Sequence, residues 1–260
     1  MYETILFEKS GGVANVVLNR PKKVNAFDGT MHEELYRAFG HAAEDEEIRC
    51  VVLRGEGKGF SAGADLAQVI EDGDPDLGEY LRSTYSRLVK RMVGTRKPIV
   101  AAALQGPVYG AGVDIALACD LRVAAENTKF SVAFIKIGLM PDAWVTFLLP
   151  RVLGLGRAME MSMLGAALEA EEAYRIGLVN KVVPEDSLPE ETRNLAQHLA
   201  TMPTAALVRV KHSLYATFET DLETALESEA EGQTFCGYTQ DHKEGVTAFF
   251  EKREAKFTGR

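Results

Sequence analysis

Cysteine is scarce and scattered: Cys50, Cys119 and Cys236 are the three in 260 residues, and no two of them form a CxxC. An odd number so far apart argues against a disulfide framework, and Cys50 and Cys119 sit in apolar runs where a thiol behaves as a small hydrophobe. The five histidines (His32, His41, His198, His212, His242) include no HxxxH or HExxH pair, so no metal site is expected. No apolar run approaches the roughly 20 residues that a bilayer-spanning helix needs. The opening "MYETILFEKSGG" reads as a strand and a turn, without a basic segment ahead of an apolar one. A reducing, cytoplasmic setting away from membranes is the expectation. Positive charge is also short, with 29 Lys and Arg against 38 Asp and Glu and a net charge of −9. A nucleic-acid partner would need a local basic patch against that average, and none is expected. The one dense basic run, "KREAKFTGR" at the C-terminus, is interleaved with Glu251 and Glu254 and reads as a solvated helix end. There is no repeat of fixed period and no low-complexity tract.

What is present is an ordinary supply of core residues, 46% apolar against 26% charged. Runs rich in Val and Ile at 13–19, 48–55, 98–106, 121–127 and 177–183 read as strands. Between them lie helical patterns. In 30–45, Met31, Leu35, Ala38, Phe39 and Ala42 share a face, and Thr30 with Glu33 has the form of a capping box. Segment 77–93 repeats the pattern with Leu77, Leu81, Leu88 and Met92. Strands alternating with helices give an α/β fold with buried sheets. After about residue 185 the strands stop and four helices follow, with Asp241 and Glu244 offering a cap. The expected organisation is a core over 1–185 and a helical region over 186–260.

Two stretches have the makings of a site. "GFSAGADL" (59–66) follows a strand and precedes a helix, and its small residues leave backbone N–H groups uncovered. Its bland alternative is a turn capped by Asp65. "QGPVYGAGVDIALACD" (105–120) has the same plan, with Gly110, Ala111 and Gly112 at a helix N-terminus that favours negative charge. It contains part of a GxGxxG pattern, but Ile115 occupies the sixth position and no acidic residue follows at the expected distance, so dinucleotide binding is set aside. If the loops converge, the N–H groups of Ala64 and Ala111 form a two-donor oxyanion hole.

These motifs together, "VVLNRPKKVNAF", "FSAGADL", "QGPVYGAGVDIALACD", "KIGLMPD" and "EGVTAFFEKREAKF", resemble the crotonase superfamily, the enoyl-CoA hydratase/isomerase family, over essentially the whole chain. The resemblance implies a spiral of repeated ββα units with a C-terminal helical region that trimerises, often into a dimer of trimers. It implies an acyl-CoA thioester substrate, with coenzyme A as part of the substrate and no other cofactor. Carried over by position, Ala64 and Ala111 match the oxyanion donors. Ala62, Ala64 and Leu66 match the surroundings of the adenine, and Lys23 and Val24 the region beside pantetheine and phosphates. Phe249 and Lys252 match positions that reach CoA from a neighbouring subunit or the C-terminal helix, which would turn Lys252 toward a phosphate.

Hydratases of the family hold a water between two glutamates. Asp114 stands at the first of those positions, and Phe134 stands at the second, which is expected on a strand leading to "IGLMPD". An aromatic ring cannot take part in acid–base chemistry, so an isomerase is favoured. Asp142 stands where several family isomerases place their base, and the pattern is similar to that of the isomerases acting on ring-epoxidised phenylacetyl-CoA. Phe134, Leu139, Met140 and Trp144 are expected to raise the pKa of Asp142. Tyr109, Phe134 and Trp144 are candidate walls of the acyl pocket. Asp142 as a helix cap and Asp114 as a complement to a helix dipole are the structural alternatives. Three readings remain: an acyl-CoA double-bond isomerase with Asp142 as base; an enoyl-CoA hydratase using Asp114 and Asp142; and a CoA-binding member with little turnover.

Overall fold

A computed structural model describes residues 2–71 and 76–260. In chain order the elements are β1 (Ile5–Ser10), β2 (Val13–Leu18), α1 (Gly29–Glu44), β3 (Cys50–Gly55), α2 (Leu66–Glu71), α3 (Leu77–Ser83), α4 (Tyr85–Val93), β4 (Ile99–Leu104), β5 (Pro107–Tyr109) and α5 (Ala111–Leu117). They continue with β6 (Leu121–Ala125), β7 (Lys129–Ser131), α6 (Val145–Leu153), α7 (Leu155–Leu164), β8 (Leu168–Glu169), α8 (Ala170–Arg175) and β9 (Lys181–Val183). Four helices follow: α9 (Leu188–Thr201), α10 (Thr204–Ala216), α11 (Leu222–Gly237) and α12 (Gln240–Glu251).

The main sheet runs β1-β2-β3-β4-β6-β9 and is parallel except for the β1–β2 hairpin. Alternation along β3 explains why both faces are covered. Val51 and Leu53 point into the main core with Phe27, Met31 and Leu35. Cys50 and Val52 point the other way, onto Ala196 and Ala200 of α9. Helix α9, beyond the expected boundary at residue 185, therefore closes the second face of the sheet. A smaller sheet, β5-β7-β8, carries the second of the two small-residue loops.

Several local expectations need correction. Helix α1 is capped by Asp28, whose carboxylate accepts from the Met31 N–H at 2.8 Å; the Thr30–Glu33 box does not form, and Glu33 pairs with Arg87. Segment 77–93 is two helices, broken at Thr84, where φ −113° and ψ −88° interrupt the ladder. The strand expected at 177–183 is confined to Lys181–Val183, because Leu178 and Val179 turn into the core after α8. Helix α12 is capped by Thr239 rather than by Asp241 and Glu244. Asp241 instead accepts from the Thr258 and Gly259 amides and Glu244 pairs with Arg253, so the basic tail folds back onto α12.

Candidate functional site

The two small-residue loops meet. Ser61 and Val108 form a parallel bridge, with Ser61 N–H donating to the Pro107 carbonyl and Tyr109 N–H to the Ser61 carbonyl. Glycine is required at the crossing. Gly63 has φ +97°, and a Cβ there would lie 2.9 Å from the Tyr109 carbonyl oxygen and 3.4 Å from the Ala111 nitrogen. The same crossing holds Ala64 beside the N-terminus of α5, where the first N–H groups have no intrahelical acceptor. Neither the Ala64 nor the Ala111 N–H donates to a described acceptor. Both residues line one cavity of about 350 Å³.

A third segment buttresses the first loop. The turn after Pro21 places Val24 and Asn25 at positive φ (48° and 52°). Buried Asn25 spends its amide on the Glu56 and Gly59 carbonyls at 2.9 Å each, and its own carbonyl accepts from the Ser61 hydroxyl at 2.8 Å. Val24 accepts the Ala62 N–H. Asp65, directly before α2, accepts from the Gln68 N–H as a cap does, and its carboxylate is also held by Arg20 at 2.9 Å, with the half-exposed Lys23 ammonium 4.0 Å away. Lys23, Val24, Ala62 and Leu66 thus cluster around the first loop, with Ala62 and Leu66 exposed along the cavity edge.

Asp142 lines the same cavity. It is not a helix cap. Helix α6 begins at Val145, whose N–H donates to the Asp142 backbone carbonyl, and the Asp142 carboxylate holds no described hydrogen bond. Ala143 and Trp144 follow at φ 44° and 111°. Two successive non-glycine residues in that region cost of order 1–3 kcal/mol each. Burial pushes the Asp142 pKa up to about 6. Of the neighbours expected to cause this, Phe134 and Leu139 line the cavity, whereas Met140 is 69% exposed. Trp144 does not line it; its ring stacks on Phe147 at 4.8 Å and tilts toward Tyr215. The candidate acyl walls are therefore Tyr109 and Phe134 without Trp144. Phe134 lies on a short helical turn, Ala133–Ile137, rather than on a strand.

Asp114 is fully buried on α5, behind the cavity rather than on its wall, and neither of its oxygens has a partner. Burial raises its pKa well above the usual carboxylate range, and the charge of Asp142 raises it further. Burial bears harder on Asp114 than on Asp142, so Asp142 is the readier of the two to ionise. Phe249 and Lys252 are not brought to this cavity by their own chain. Phe249 is 78% exposed at a separate groove of about 550 Å³ between α10, α11 and α12, and Lys252 ends α12 in the left-handed conformation. The only carboxylate described in that groove, Asp241, is committed to backbone amides.

Two wall residues escaped the sequence reading. Tyr80 and Tyr85 both line the cavity beside Leu77 and Leu81. The signal was present, since Tyr85 follows Leu81 by four residues on the stripe that Leu77 begins.

Comparison with known proteins decides the family. The model of the family described as enoyl-CoA hydratase/isomerase matches residues 8–260. The chain belongs to the enoyl-CoA hydratase/isomerase family. It is 40% identical to the 1,2-epoxyphenylacetyl-CoA isomerase of Escherichia coli K12, over the full length of both chains. It is 35% identical to the crotonyl-CoA hydratase of Syntrophomonas wolfei, covering 98% of each. The solved enoyl-CoA hydratase of Bacillus anthracis superposes with a TM-score of 0.93 at 31% identity, covering 99% of this chain and 100% of that one. The fold is that of the crotonases, and the chain is an enzyme of the enoyl-CoA hydratase/isomerase family. Among the described residues there is no group of three or more His, Cys, Asp or Glu that could hold a metal ion, and no helix long and apolar enough to cross a membrane.

Proposed function

We propose that the protein is an acyl-CoA double-bond isomerase in which Asp142 carries the proton. The observation behind this is that Asp142 is the one described carboxylate on the wall of a cavity that also presents the N–H groups of Ala64 and Ala111. The thioester oxygen accepts from those two N–H groups. The ionised Asp142 takes a proton from the α carbon: the C–H bond breaks, an O–H bond forms, and the electron pair spreads through a dienolate onto the thioester oxygen. Asp142 then returns the proton at the γ carbon, and the double bond moves from the 3 to the 2 position. Tyr109 and Phe134 flank the acyl group. Ala62, Ala64, Leu66, Lys23 and Val24 line the route of the CoA.

The crotonyl-CoA hydratase among the relatives favours a second reading, addition of water with Asp114 and Asp142 as the acid–base pair. It requires Asp114 to reach a water from behind the cavity wall and Phe134 to be dispensable. Products formed in ¹⁸O-water from 2-enoyl-CoA and 3-enoyl-CoA separate the two. The expected result is 3-to-2 conversion without gain of water. Rapid entry of one ¹⁸O into the 2-enoyl substrate would establish the hydratase instead.

The same reading makes the enzyme a cytoplasmic homotrimer or dimer of trimers. Its support is the apolar surface on the C-terminal helices, where Leu214, Leu222, Leu226, Tyr238, Phe249 and Phe250 are each more than half exposed. The helices that carry these residues pack on one another, α10 on α11 and α11 on α12, and a large exposed apolar surface is characteristic of an interface. Subunit packing would also bring Phe249 and Lys252 to a neighbour's CoA. The expected mass by light scattering is three or six times 28.4 kDa; a monomer at micromolar concentration would remove this part of the proposal.

A further inference from the structure

Tyr85 opens α4 immediately after the break at Thr84. Its ring faces inward, where three aromatic neighbours pack against it. His32 lies edge-on at 4.0 Å and 75°, Phe27 at 6.0 Å and 73°, and Tyr80 at 6.3 Å and 67°. The residue is 4% exposed and lines the candidate cavity, yet its hydroxyl has no hydrogen-bond partner among the described residues. His32 behind it offers no bond either, since both of its ring nitrogens are unpartnered and burial pushes its pKa down to about 3. Most of the remaining wall beyond the oxyanion loops is hydrocarbon or aromatic: Leu66, Leu77, Leu81, Ile137, Leu139 and Phe134.

A buried hydroxyl without a partner is destabilising, and phenylalanine would fill the same place without that cost. Such a group in an apolar pocket is accounted for when the ligand supplies the missing acceptor. Neither the proton shuttle by Asp142 nor the oxyanion hole uses it. Burial raises the Tyr85 pKa well above the usual phenol range, so the phenol stays a neutral donor.

We propose that the Tyr85 hydroxyl, at the wall of the acyl cavity, donates a hydrogen bond to an oxygen carried by the acyl group beyond the thioester, so that the enzyme selects oxygenated acyl groups over plain hydrocarbon ones. This rests on the acyl-CoA reading of the cavity, and the test is chosen to be independent of the reaction catalysed. Phenylacetyl-CoA and its 2-, 3- and 4-hydroxy derivatives, together with pentanoyl-CoA and 5-hydroxypentanoyl-CoA, have no double bond to shift or hydrate. Their dissociation constants report the pocket alone. At least one hydroxylated thioester is expected to bind wild type about tenfold tighter than its parent, the scale of one net hydrogen bond. In Tyr85→Phe that ratio is expected to fall to about one, with circular dichroism and thermal melting confirming the fold. Equal binding of every pair by wild type overturns the proposal, and so does a preference that survives in Tyr85→Phe. Failure of all the thioesters to bind would overturn it together with the acyl-CoA site, whereas binding without discrimination removes this proposal alone.

Discussion

Asp142→Asn is expected to lower the rate of 3-enoyl-CoA isomerisation about a thousandfold while leaving thioester affinity within a few-fold. General acid–base groups typically contribute 10²–10⁴-fold, and here one group both removes and returns the proton. The amide has nearly the shape of the carboxylate, and no described hydrogen bond is lost with the charge. The fold should not suffer. Burial raises the native pKa to about 6, above the ordinary carboxylate value of 3.8. The native state therefore holds this proton more tightly than the unfolded chain does. The stability tied to it is complete below the unfolded value and is lost as pH rises through about 6. Asparagine carries no such proton, so the variant should lose less stability than wild type between about pH 4 and 6. Activity has the opposite slope, because the base must be ionised. Wild-type kcat/KM should rise through an acid limb near pH 6, and the residual activity of the variant should lack that limb. Steady-state kinetics from pH 5 to 8 would check both; a variant retaining a tenth of wild-type turnover would show that another group moves the proton.

The parts of this site that the sequence makes legible are those specified by backbone. Small residues in 61–64 and 110–112, each between a strand and a helix, indicate exposed N–H groups because little else suits such a composition. Pairing of Ser61 with Val108 then brings the loops together. Side-chain direction is another matter. Trp144 lies two residues after Asp142, yet with Ala143 and Trp144 itself at positive φ its ring lies against Phe147 rather than in the cavity. Tyr85 continues the stripe of Leu77 and Leu81, but the helix break at Thr84 between them is marked by neither proline nor glycine. Caps fail for a related reason. Thr30 with Glu33 and Asp28 with Met31 are both acceptable helix starts, and the observed cap, Asp28, stands two positions before Thr30. Asp114 belongs to the second loop motif, but its position behind the wall follows only from packing of α5 against the core.

Ala111→Pro should lower kcat about 10²–10³-fold, the usual cost of one oxyanion donor, without unfolding the enzyme. Backbone donors cannot be removed by ordinary substitutions, but Ala111 is the first residue of α5, the one helical position that proline tolerates well. Its N–H has no described acceptor, so the fold loses no hydrogen bond. The preceding residue is Gly110 at φ 50° and ψ −125°, a conformation that glycine adopts freely ahead of proline. The new ring carbon occupies the space that the N–H faces, which makes CoA affinity a necessary companion measurement. Ala111→Gly is the control, since it keeps the donor and should retain most of the turnover. The expected pattern is a normal melting temperature for both variants, with turnover lost in the proline variant alone. Undiminished turnover in Ala111→Pro would mean that the thioester oxygen is held elsewhere, and the dienolate assigned to the Ala64–Ala111 pair would have to be moved with it.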